Sequence, residues 1–77
     1  MSQEGLVKRI ESPDGTRVVE FTSRGDGLFS FEEHSLVTED GYTLWTPTHC
    51  SGLHDTLASA EREARATLPW LKGQISN

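Results

Sequence analysis

Three Asp-Gly pairs, Asp14-Gly15, Asp26-Gly27 and Asp40-Gly41, divide the first part of the chain into runs rich in Val, Ile, Leu, Phe, Thr and Trp. Asp-Gly between such runs marks hairpins, because Gly enters the left-handed backbone region freely and the Asp side chain bonds the main chain of a tight turn. Each pair follows one further turn residue (Pro13, Gly25 or Glu39), so three-residue loops with Gly as a G1 bulge are expected. Three such loops imply four antiparallel strands. They pair Ser12 with Thr16, Arg24 with Leu28 and Thr38 with Tyr42. Glu11 then faces Arg17, Lys8 faces Glu20, Phe21 faces Phe31 and Ser35 faces Trp45. The two opposite-charge pairs are worth roughly 0.2–1 kcal/mol each, and a one-residue slip would exchange the faces of a strand.

Loops of this kind keep odd-even parity throughout. The odd residues Val7, Val19, Phe21, Phe29, Phe31, Val37 and Trp45 therefore share the face expected to form the core. The even face carries Leu6, Ile10, Val18, Leu28, Leu36 and Leu44 among Lys8, Glu20, Thr22, Ser30, Glu32, His34 and Thr46. Polar residues at Glu33 to Ser35 suggest a bend or bulge in the third strand. Pro47 ends or edges the fourth, and residues 49–54 read as a loop. Asp55 is the expected N-cap of a helix from Thr56 to about Leu68, with Leu57, Ala60, Ala64, Leu68 and Leu71 as its apolar stripe. Pro69 stops that helix, and Trp70 and Leu71 fold back over the core. The expected fold is α+β, a four-stranded antiparallel β-meander with one C-terminal α-helix packed on one face. It forms a single small domain over residues 1–77, with 1–5 and 73–77 flexible.

The elements Gly27-Leu28-Phe29-Ser30-Phe31-Glu32-Glu33, Gly41-Tyr42, Trp45-Thr46-Pro47, Ser51-Gly52-Leu53-His54-Asp55, Ala60-Glu61-Arg62-Glu63-Ala64-Arg65 and Pro69-Trp70-Leu71 resemble those of small uncharacterised bacterial proteins of about this length. The resemblance covers over half the chain and implies a strand meander followed by an Ala/Glu/Arg-rich helix. It implies no activity, ligand or catalytic residue. It also implies an acidic third helical position completing a capping box with Asp55, where this chain has Ala58.

Charge and size narrow the function classes. A net charge of −5 argues against nucleic-acid backbones and anionic membranes, both of which reward clustered Lys and Arg. Single-stranded nucleic acid on sheet aromatics fares no better, since those rings are expected beneath the helix. The single cysteine, Cys50, leaves no internal disulfide and suits the reducing cytoplasm. No apolar run is long enough to span a bilayer, and no secretory signal pattern opens the chain. A soluble cytoplasmic protein is expected.

Few residues carry chemistry. Cys50 and His54, with His34 completing a set, are the candidates for a metal site, and Cys50 with a neighbouring His invites a thiol nucleophile. Adjacent His49 and Cys50 point to opposite sides if extended, and no Cys-x-x-Cys or His-x-x-x-His accompanies them. Glu32 and Glu33 alternate faces and do not converge as an acid–base pair. No catalytic residue and no cofactor is assigned. The less ordinary feature is the even face, where aliphatic side chains sit opposite a covered core, more than antiparallel sheets normally expose. The expected function is a non-enzymatic protein-interaction or accessory module using that face, through Leu6, Ile10, Val18, Leu36 and Leu44, toward a protein partner or a homodimer. A small metal- or thiol-dependent activity around Cys50 and His54 is the alternative.

Overall fold

The computed structural model describes residues 4–72. Four strands, β1 (Glu4–Glu11), β2 (Arg17–Arg24), β3 (Phe29–Glu39) and β4 (Tyr42–Cys50), are followed by α1 (Leu57–Thr67) and a single helical turn, α2 (Pro69–Lys72). The strands form one antiparallel sheet in the order β1-β2-β3-β4, with α1 lying over β2 and β3. This is the expected α+β meander. Of the ends expected to be flexible, 1–3 and 73–77 lie outside the described residues. Glu4 and Gly5 instead belong to β1, opposite Arg24 and Ser23.

The core is built from Val19, Phe21 and Phe31 on the sheet, Ala60 and Ala64 on α1, and Leu68 and Leu71 beyond it. The rings of Phe21 and Phe31 lie 5.9 Å apart, tilted by 50°. Burying each ring contributes about 1.5–3 kcal/mol. Ala60 and Ala64 are fully buried, and their small side chains let the helix backbone settle onto the aromatic layer. Leu68, ahead of Pro69, is extended (φ −105°, ψ 105°), as the proline ring demands. Pro69 then opens the turn that seats Leu71 in the core. The N-cap is Thr56 and not Asp55: its Oγ1 accepts from the Ser59 amide at 3.0 Å.

Only the middle hairpin has the expected register, with Phe21 opposite Phe31. In the first, Asp14 Oδ1 accepts from Thr16 N and Oγ1 and from Ser12 Oγ. Thr16 is thereby drawn into the loop, and Ser12 N bonds Arg17 O instead. Every pair near the turn shifts by one: Ile10 faces Val19, Arg9 faces Glu20 and Lys8 faces Phe21, until a bulge between Leu6 and Lys8 restores parity at Leu6–Thr22. The charge pairs Glu11–Arg17 and Lys8–Glu20 therefore do not form across the strands. In the third hairpin Asp40 (φ 52°) and Gly41 (φ 81°) both adopt left-handed backbone, the signature of a two-residue type I′ turn. Glu39 then pairs with Tyr42, Val37 with Leu44 and Leu36 with Trp45.

Candidate functional site

The register decides which side chains meet. Trp45 lies opposite Leu36, on the face away from α1, while Phe21 and Phe31 lie beneath the helix. The expectation that Trp45 joins the phenylalanines in one core is thus overturned by the Asp40-Gly41 turn, which is one residue shorter than anticipated. Val7, at the β1 bulge, and Val37, beyond the reach of α1, also stay exposed. The expected five-residue partner face is broken up in the same way. Ile10 moves to the helix side and packs against the core, and Leu44 shares the side of Val37. Leu6, Val18 and Leu36 remain on the helix-free face. Leu6, beside Thr22, is separated from Leu36 by the charged rows around Arg9, Glu20 and Glu32.

What replaces that face is smaller. A shallow depression of about 170 Å³ is lined by Arg9, Val18, Glu20, His34 and Trp45, drawing on all four strands. Val18 is buried, whereas Trp45 and Leu36 are 40% and 37% exposed. The rim is held by ion pairs and a hydrogen bond: Arg9 lies 2.6 Å from Glu11 and 3.5 Å from Glu20, and His34 Nε2 is hydrogen-bonded to Glu32 at 3.1 Å. An indole over an aliphatic floor with a polar border is the chemistry of a protein-contact anchor, where aromatic and Arg side chains carry most binding energy. Trp45 and Arg9 are the members of this set that sequence reasoning missed. The signal was present in Asp40-Gly41, since Asp-Gly favours two-residue turns and a loop one residue shorter turns Trp45 to the other side.

A second cluster lies on the helix side. Glu33 is 4% exposed and sits in the row that continues Phe31. The sheet irregularity expected near Glu33 occurs there, but the extra residue is Thr48 of β4, skipped between the pairs Glu33–His49 and His34–Pro47. Thr48 Oγ1 donates to Glu33 Oε1 at 2.7 Å, and Trp70 Nε1 donates to Oε2 at 2.6 Å. Arg17 approaches within 3.5 Å. Burial pushes the Glu33 carboxyl pKa up, but the Thr48 and Trp70 hydrogen bonds and the Arg17 charge outweigh it and hold the pKa below its ordinary value. This ionised carboxylate ties α2 to the sheet and joins residues of β2, β3, β4 and α2.

The residues considered for metal or thiol chemistry do not assemble. Residues 49 and 50 are strand, not loop: Cys50 pairs with Glu32, and His49 stacks on Phe31 with ring centroids 5.8 Å apart. His54 exchanges main-chain bonds with Phe29, and its Nδ1 lies 3.0 Å from Ser59 Oγ. His34 is engaged with Glu32 on the helix-free face. Among the described residues, no three His, Cys, Asp or Glu side chains gather as a metal-binding group. Cys50 is free and exposed. No helix among those residues is long and apolar enough to cross a membrane. Neither protein-family models, nor curated proteins, nor solved structures provide a match to the chain.

Proposed function

We propose that this protein is a non-enzymatic interaction module that engages a protein partner through the helix-free face of its sheet. The observation that supports this reading is the half-exposed Trp45–Leu36 pair beside the depression over Val18, rimmed by Arg9, Glu20 and His34. A partner segment that inserts one apolar side chain over Val18 and meets the mixed charges of the rim satisfies this surface. The exposed free thiol of Cys50 fits the reducing cytoplasm, where we place the protein. No arrangement of Cys50 and His54 supports the metal- or thiol-dependent alternative.

The test is position-specific photo-crosslinking in the cells that make the protein. A photoreactive residue replacing Leu36 is expected to yield a discrete adduct with another protein. The same residue replacing Arg62, on the exposed side of α1, is expected to yield none. Absence of any adduct from position 36, or the same adducts from both positions, would refute the reading.

A further inference from the structure

The two edges of the sheet are treated differently by the sequence. β1 carries Lys8, Arg9 and Glu11 and is bulged between Leu6 and Lys8, two devices that discourage pairing with another strand. β4, Tyr-Thr-Leu-Trp-Thr-Pro-Thr-His-Cys, holds no Asp, Glu, Lys or Arg, and its own two devices of this kind, Pro47 and the bulge at Thr48, sit toward its end and leave 42–46 open. It forms the other edge, and α1 does not reach it. Pairing of β2 with β3 ends at Arg17–Ser35, so beyond Leu36 the hairpin runs on as a two-stranded ribbon. Such a ribbon is marginal in water by itself. Its exposed apolar residues lie on both sides, with Leu36 and Trp45 on one and Val37, Tyr42 and Leu44 on the other.

The main-chain groups of β4 that point outward follow from one bond. Leu36 N donates to Thr16 O at 2.8 Å, away from β4. The pair Leu36–Trp45 is therefore a non-bonded pair of the antiparallel ladder, and the N–H and C=O of Trp45 turn to the free edge. By the two-residue period the same holds for Thr43. Pro47 occupies the next outward position, where its missing N–H costs β3 no bond.

We propose that two copies of this chain pair antiparallel along β4, about a two-fold axis at Leu44, and join their sheets into one. Thr43 of each copy then meets Trp45 of the other, making about four main-chain hydrogen bonds between groups that otherwise face water. Leu44 meets its own symmetry mate as the closely spaced non-bonded pair. The outward groups of Thr43 and Trp45 are self-complementary about Leu44, which fits a second copy, and charge selects the direction. Two acidic chains, each of net charge −5, approach at least cost along the strand without charge. Antiparallel pairing also sets the acidic tip, Glu39-Asp40, beside the uncharged Pro47–Thr48 stretch of the other copy, whereas parallel pairing would bring the two tips together.

Sedimentation of the full chain across a dilution series tests this, with two charge variants at the axis. Leu44 is 51% exposed, so Leu44→Lys and Leu44→Glu leave the core untouched. The wild-type chain is expected to double from 8.6 kDa as concentration rises. Each variant alone should remain monomeric, because like charges face each other across the axis. An equimolar mixture of the two should recover the dimer. A wild type that stays monomeric to millimolar concentration, variants that dimerise alone, or a mixture that fails to associate would each overturn the proposal. Pairing at the edge is independent of the partner face: with the photoreactive residue moved to Arg9 on the rim, Leu36→Asp should abolish crosslinking and leave the dimer intact, so failure of either idea is seen separately.

Discussion

Replacing Trp70 by Phe removes a single N–H donor from a buried, ionised carboxylate and keeps an aromatic ring over the core. The lost bond, Trp70 Nε1 to Glu33 Oε2 at 2.6 Å, is charge-assisted and short, a class worth about 1.5–3 kcal/mol. Trp70 is only partly buried, so the smaller ring adds less than about 1 kcal/mol of lost burial. For a domain of this size each kcal/mol moves the midpoint by about 4–8 °C, giving an expected fall on the order of 10 °C. The acid limb offers a sharper readout. Glu33 has a folded pKa below its ordinary 4.5, so the folded state binds fewer protons than the unfolded one. Its stabilisation is complete above the unfolded pKa and is lost as pH falls through the folded one. Without the Trp70 donor one cause of the lowering disappears while burial remains, so the folded pKa rises and the acid dependence flattens. Urea denaturation at pH 7 and at several values below 5, for wild type and Trp70→Phe, measures both effects. A variant as stable as wild type at pH 7, or one with an equally steep loss toward acid, would refute this account of Glu33.

Further outcomes follow from the same structure. Ala64→Leu, at a fully buried position where α1 meets the phenylalanine layer, should cost about 1–3 kcal/mol by overpacking, read as a lower denaturant midpoint. Thr56→Ala removes the acceptor of the Ser59 amide and should cost about 1 kcal/mol, whereas Asp55→Ala should cost far less, a comparison that decides the true cap by chemical denaturation. Asp14 is held down to a pKa of about 2, from 3.8, by donors on Ser12 and Thr16. Its stabilisation is therefore present above about pH 4 and lost as pH falls through about 2, and Asp14→Asn should show a shallower loss of stability across that window.

The number and kind of elements could be read from residue order alone. Three Asp-Gly pairs between β-rich runs define a meander, because only turn residues interrupt those runs. The alanine stripe on α1, the stop before Pro69 and the return of Leu71 to the core follow from helical period and proline sterics, which act over a few residues. The pairing of Phe21 with Phe31 was legible for the same reason. Which face each outer strand presents was not. It turned on whether Thr16 joined the first loop and whether Asp40 took a left-handed conformation, and each choice shifts a strand by one residue and exchanges its sides. Those choices sent Trp45 to the helix-free face, Lys8 to within 3.2 Å of Glu61 on α1 and Ile10 against the core. Glu33 reads from sequence only as one of two carboxylates on alternate faces; the Thr48 bulge and Trp70 bring donors to it from residues 15 and 37 positions away. Local chemistry wrote the elements, but faces and buried charges depend on contacts between distant segments that only the folded chain brings together.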